Sequence, residues 1–128
     1  MSFGLILTLM IQLKTFLRVI DNSGGLVAEC INSLKKSAGP GDEIVVAIKQ
    51  AKPSVFKVKR GDVCRALVVR TRAGTSRPDG SHVSFGDNAC VLLNRQGQPL
   101  GNRVMGVVAM ETRQPRWAKV ASLATQFV

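Results

Sequence analysis

Eighteen lysine and arginine side chains stand against eight carboxylates in this 128-residue chain, a net charge of +10. The chemistry such a surplus does best is neutralisation of a polyanion. A guanidinium can chelate phosphate oxygens or stack on a flat partner, and an ammonium acts as a mobile point charge. The cations do not collect in one tail: Lys49, Lys52, Lys57, Lys59 and Arg60 occupy one segment, and Arg65, Arg70, Arg72 and Arg77 the next. That distribution through the middle of a small domain favours nucleic acid, because no basic amphipathic helix suited to a membrane surface is evident. A basic surface kept only for solubility is the weaker reading.

Other chemistries have little to stand on. Asp21, Asp42, Asp62, Asp79 and Asp87 sit in turn-like stretches, where aspartate serves local backbone hydrogen bonding, so no acid–base pair is needed to explain them. With His82 the one histidine, no nucleophile–base arrangement can be assembled, and Gly39-Pro40-Gly41 precedes a strand rather than the helix of a phosphate-cradling loop. No enzyme and no cofactor are expected. Cys30, Cys64 and Cys90 lack metal-site spacing and lie in or beside apolar runs, which reads as buried reduced thiols without a metal or a disulfide. The chain has no tyrosine, one tryptophan and five phenylalanines. That argues against a reader that stacks splayed bases and for recognition of a folded RNA's backbone and shape.

The elements that must position these cations read as strands. Val63 to Thr71 is rich in β-branched residues, with Ala66 and Val68 as inward candidates; the turn Arg77-Pro78-Asp79-Gly80 follows, then short strands over Ser81 to Phe85 and Ala89 to Leu93. Upstream, Ile11 to Ile20 and Leu26 to Asn32 form a hairpin about Asp21-Asn22-Ser23-Gly24-Gly25, and Glu43 to Lys49 makes a third strand. Between Ala51 and Arg60 apolar and basic residues alternate, as a two-faced ribbon requires. Pro115 opens a short C-terminal helix with Trp117, Val120, Ala121 and Ala124 at helical spacing, and Trp117 is expected to pack against the β core. Met1 to Leu9 is uncharged and largely apolar. It is shorter than the roughly 18 to 20 residues of a membrane span and has no basic flank of a secretory signal, so it reads as an extension that prolongs or packs against the first strand.

Several ordered motifs now point one way. Lys59-Arg60-Gly61-Asp62-Val63-Cys64-Arg65-Ala66-Leu67-Val68-Val69-Arg70-Thr71-Arg72, then Arg77-Pro78-Asp79-Gly80-Ser81, then Phe85-Gly86-Asp87-Asn88-Ala89-Cys90-Val91-Leu92-Leu93-Asn94, resemble the universal L-fourteen family of large-subunit ribosomal proteins in its bacterial and organellar form. The likeness extends upstream through Val19-Ile20-Asp21-Asn22-Ser23-Gly24-Gly25 and downstream through Gln98-Pro99-Leu100-Gly101-Asn102-Arg103 and Lys119-Val120-Ala121-Ser122-Leu123-Ala124.

The resemblance implies a mainly β fold: a small closed five-stranded barrel with a projecting β-ribbon and one or two short C-terminal helices. It places a single domain over residues 10–128 behind an extension at 1–9. It implies a structural, non-enzymatic constituent of the large subunit that binds large-subunit rRNA through Lys49, Lys52, Lys57, Lys59, Arg60, Arg65, Arg70, Arg72 and Arg77. The partners it implies are neighbouring large-subunit proteins, small-subunit rRNA across an intersubunit bridge, and a ribosome-silencing factor docking at Asn102, Arg103 and Lys119. The chain departs from the family pattern at Asn102, where threonine is usual, over Met105-Gly106-Val107-Val108, and at Met110. Those departures, with the N-terminal extension, favour a mitochondrial ribosome over a bacterial cytoplasm. A free-standing β-barrel RNA-binding regulator or assembly factor is the alternative, and a basic enzyme of unknown chemistry ranks below it.

Overall fold

The computed structural model describes residues 11, 14–33, 38–52, 58–72, 75–76, 79–80, 82–83, 85–124 and 126–128, with 33, 75–76 and 82–83 described by backbone alone. In chain order the strands are β1 (Phe16–Val19), β2 (Gly25–Ser33), β3 (Glu43–Ala51), β4 (Val63–Arg70), β5 (Thr75–Ser76), β6 (His82–Val83), β7 (Ala89–Leu93), β8 (Val107–Val108) and β9 (Gln126–Phe127). Five of them close into a barrel in the order β1-β2-β3-β4-β7. Every pairing is antiparallel except β1 with β7, which is parallel and completes the ring. Closure leaves the barrel no unpaired strand edge.

Alternation sets the interior. Leu17 and Val19 of β1, Ala28 and Cys30 of β2, Ile44, Val46 and Ile48 of β3, Ala66 and Val68 of β4, and Cys90 and Leu92 of β7 all enter one buried cluster. Small alanines beside branched chains let side chains fill so narrow a barrel, and full burial of each aliphatic group contributes about 1.5–3 kcal/mol.

A second cluster lies outside the barrel wall. Leu67 and Val69 of β4 and Ala89, Val91 and Leu93 of β7 are also buried, beneath Ile20, Val104, Val108, Trp117 and Val120. This roof is the C-terminal segment: two 3₁₀ turns (Met110–Thr112 and Pro115–Trp117), the helix α1 (Ala118–Leu123), and β8 paired in parallel with β9. Pro115 takes the first position of its turn, where a missing N–H costs nothing. As expected, Trp117 is buried against the barrel; its Nε1 donates to the Gly41 carbonyl at 3.1 Å. Gly41 adopts φ +89, and a Cβ there would stand 2.6 Å from the Glu111 carbonyl oxygen, so the seam between barrel and roof admits only glycine.

Strands β2, β3, β4 and β7 fall within two residues of their expected limits. The first strand is shorter. Lys14 has φ +69, which breaks extended geometry, although Lys14 N–H still donates to Cys30 O at 2.7 Å and Cys30 N–H to Thr15 O at 2.9 Å. Ile11 instead bridges to Ala38. Half of the ribbon expected over Ala51 to Arg60, residues 53–57, lies outside the described residues, as does the extension Met1 to Leu9; a two-stranded ribbon forms between β5 and β6. Among the described residues no helix is long and apolar enough to cross a membrane, and no group of three His, Cys, Asp or Glu side chains could hold a metal ion.

Candidate nucleic-acid interface

The expected cations fall into two groups joined by one row of paired strand residues. Arg70 pairs with Ala89, Ala89 with Arg18, Arg18 with Val27, and Val27 with Gln50. Arg70, with Arg72 just beyond it, stands at one end of that row and Arg18 at its middle; at the other end Lys49 and Lys52 lie on either side of Gln50-Ala51. Four strand steps separate Arg70 from Gln50, about 19 Å around the wall. That span can follow several consecutive phosphates.

The Asp87-Asn88 corner organises the first group. Arg18 N–H donates to the Asn88 carbonyl at 2.9 Å and Arg72 N–H to Asn88 Oδ1 at 2.9 Å. The register shifts between Val68 and Arg70, and this bulge re-aims Arg70 so that its Nη2 reaches Asp87 Oδ2 at 3.2 Å. Arg18 Nη1 lies 3.8 Å from the same oxygen. One carboxylate therefore faces two guanidiniums, and with exposed Arg72 the corner keeps an excess of positive charge. Arg70 is held most firmly, its side chain 16% exposed against 71% for Arg18.

In the second group Lys49 Nζ lies 3.8 Å from Glu29 on the neighbouring strand. Lys59 and Arg60 are exposed in a turn with Gly61 at φ +91. Lys59 N–H donates to Asp62 Oδ2 at 2.9 Å, while Gly61 N–H donates to Ile48 O and Ile48 N–H to Asp62 O, both at 2.8 Å. The turn is thus tied to β3 beside Lys49. Lys52 N–H reaches Gly24 O at 2.8 Å, fixing the end of β3 to the β1–β2 turn.

Arg65 is differently employed. Its Nε and Nη2 both donate to Glu43 Oε2, and its Nη1 donates to Arg95 O at 2.9 Å. Arg116 approaches the other Glu43 oxygen at 3.4 Å while lying 4.7 Å over the Trp117 ring. Glu43 thus links the barrel, through Arg65, to the C-terminal roof, through Arg116. Lys57 and Arg77 lie outside the described residues.

The expected partner-docking residues sit on the roof. Asn102, Arg103 and Lys119 are exposed, and the residues that follow the last two, Val104 and Val120, are both anchored in the outer cluster. Arg18, Asn22 and Arg116 were not singled out from sequence. For Arg18 the signal was available: it stands between inward-facing Leu17 and Val19, so it had to face outward. For Asn22, in a turn where asparagine is commonplace, nothing local distinguished it.

Buried polar chemistry ties the β1–β2 turn to β7. The Asp21 carboxylate accepts from Ser23 N–H, Ser23 Oγ and Leu92 N–H at 3.3, 2.6 and 3.1 Å. Burial pushes its pKa up from 3.8, against the pull of those hydrogen bonds. Cys30, Cys64 and Cys90 are free; burial raises all three thiols, Cys64 to about 11.

The family profile described as ribosomal protein L14p/L23e matches residues 10–128. A relative in Schizosaccharomyces pombe, large ribosomal subunit protein uL14m, is 48% identical, the match covering 93% of this chain and all of the relative. The protein of the same name in Neurospora crassa is 46% identical over 90% of this chain and 97% of its own. Large ribosomal subunit protein uL14 of Aquifex aeolicus is 46% identical over 93% of this chain and all of its own. The closed barrel, its basic outer row and its C-terminal roof are those of a chain that belongs to the ribosomal protein L14p/L23e family.

Proposed function

We propose that this protein is a non-enzymatic, structural constituent of the large subunit of the mitochondrial ribosome. It binds large-subunit rRNA along the row from Arg70 and Arg72 through Arg18 to Lys49, Lys52, Lys59 and Arg60. Family membership across residues 10–128 carries this reading, and the row's continuity across five strands supports the mode of contact. The two fungal relatives that bear the mitochondrial form of the name support the compartment. Lys57 and Arg77 belong to the same RNA-facing set by their place in the matching motifs. Arg65 joins them as an RNA contact only at the margin, since most of its donors are committed within the fold.

The exposed Asn102–Arg103 loop and Lys119 face the small subunit, meeting its rRNA in an intersubunit bridge and offering the same surface to a silencing factor. Neighbouring large-subunit proteins complete the surroundings. A charge reversal tests the RNA assignment: Arg70→Glu with Arg72→Glu blocks incorporation into the large subunit while the purified chain still melts cooperatively. Because Arg70 also pairs with Asp87, the exposed pair Lys59→Glu and Arg60→Glu provides a variant with no such tie. Normal incorporation of both double variants contradicts the assignment.

A further inference from the structure

The tip of the docking loop is held from eighty residues away in sequence by one side chain. Asn22 Oδ1 accepts from Asn102 N–H at 2.8 Å and from Arg103 N–H at 3.1 Å, and Asn22 Nδ2 donates to Asn102 Oδ1. One amide thereby fixes two successive peptide groups and a side chain. Gly101 makes room for it: a Cβ there would lie 2.5 Å from Asn22 Oδ1 and 3.1 Å from Asn22 N. Beneath this contact Asp21 pairs with Val104, and Met105 N–H donates to Ile20 O at 2.9 Å. Asp21 and Ser23, on either side of Asn22, are buried and hydrogen-bonded to each other, so the latch is mounted on a rigid base. Arg103 remains exposed above it.

We infer that Asn22 is a positioning residue for the intersubunit contact: it sets the direction in which Arg103 leaves the loop toward small-subunit RNA. The inference rests on the docking reading above and adds to it a residue outside the docking motif. A loop peptide freed from Asn22 samples other directions, and its cation meets a fixed phosphate in only a fraction of them. It also explains what Asn102 does in this chain. Its side-chain Oδ1 is engaged by Asn22 Nδ2, so it stiffens the loop, leaving Arg103 as the group that reaches outward.

The test uses large subunits carrying the full-length chain, titrated with purified small subunits at limiting magnesium. Asn22→Ala should incorporate normally, because the cationic row is untouched, yet weaken association about tenfold, as expected when the freed loop aims Arg103 correctly about a tenth of the time. Arg103→Ala should weaken it by a similar factor, and the double variant by little more than Arg103→Ala alone, since Asn22 acts through Arg103. Asn22→Asp, which retains the acceptor for both N–H groups, should restore most of the association. Amide exchange in the purified chain gives a second readout: Asn102 and Arg103 N–H protection should fall in Asn22→Ala. Unchanged protection overturns the latch itself. Wild-type association for Asn22→Ala with impaired Arg103→Ala overturns its role in positioning and leaves the docking reading standing. Wild-type association for Arg103→Ala overturns the docking reading, and the positioning role with it.

Discussion

The barrel interior and the outer layer share strands β4 and β7 but are assembled from different reaches of the chain. Interior residues come from all five barrel strands, pair with near neighbours in the sheet, and enclose Leu92, Val68, Val46 and Ile48 completely. The outer layer buries the opposite faces of β4 and β7 under Ile20 and residues from Val104 onward, and it is sealed by a few specific contacts: Trp117 to Gly41, Ala109 N–H to Val69 O at 2.9 Å, and Arg65 and Arg116 on Glu43. The interior gives the cationic row a rigid backing, and the outer layer carries the loop and helix proposed to meet a partner. The two regions meet at Gly106, where a Cβ would stand 3.1 Å from Arg70 Nη1.

Substitutions can break that comparison. Leu92→Ala removes a fully buried interior side chain next to Gly25 and should cost about 2–5 kcal/mol in denaturant unfolding, enough to impair incorporation as well. Trp117→Phe keeps most of the ring but leaves the Gly41 carbonyl without its indole donor, a loss of about 1–3 kcal/mol. Its signature should be local: the Ala109 amide, bonded to Val69, should lose more exchange protection than the Val68 amide, bonded to Asp42 at 2.9 Å. Equal loss at both sites would show that the two layers open as one unit.

The smallest effect sharpens the same contrast through the thiols. Cys64 is half-buried at a cavity of about 410 Å³, whereas Cys90 is enclosed in the interior. With its pKa raised from 9.0 to about 11, Cys64 should hold roughly a hundredfold less thiolate at pH 8 than an ordinary cysteine, slowing alkylation accordingly. A folded pKa above the unfolded one favours the protonated form, so the thiol's contribution to stability is present below pH 9 and declines as pH rises toward 11. Alkylation of folded protein at the rate of a free thiol would contradict that environment.

How legible each region was in sequence follows from its physics. The interior could be read in part because a β-strand turns alternate side chains inward: Ala66 and Val68 were inward candidates on that ground, whereas Ile44 to Ile48 is apolar throughout and its period shows only in the burial of Ile44, Val46 and Ile48. The outer faces of the same strands could not. Ala89 to Leu93 is apolar throughout, and such a run announces burial on both sides without naming what covers the second, here Val108, Trp117 and Val120. Trp117 was expected to pack on the barrel, but its Gly41 acceptor depends on tertiary approach. The cationic residues divide similarly. Their types and density signalled a polyanion, yet nothing adjacent to Arg65 showed that Glu43, twenty-two residues upstream, would engage it. Nor did sequence show that a bulge would turn Arg70 onto Asp87 and align it with Arg18.

The most direct measurement is sedimentation of the tagged full-length protein from a mitochondrial lysate through a high-salt sucrose gradient, following large-subunit rRNA in every fraction. A structural constituent co-migrates with that RNA at one copy per subunit and stays after the wash. Release to the top of the gradient would contradict this and identify a transient RNA-binding factor, and absence from mitochondria would contradict the compartment.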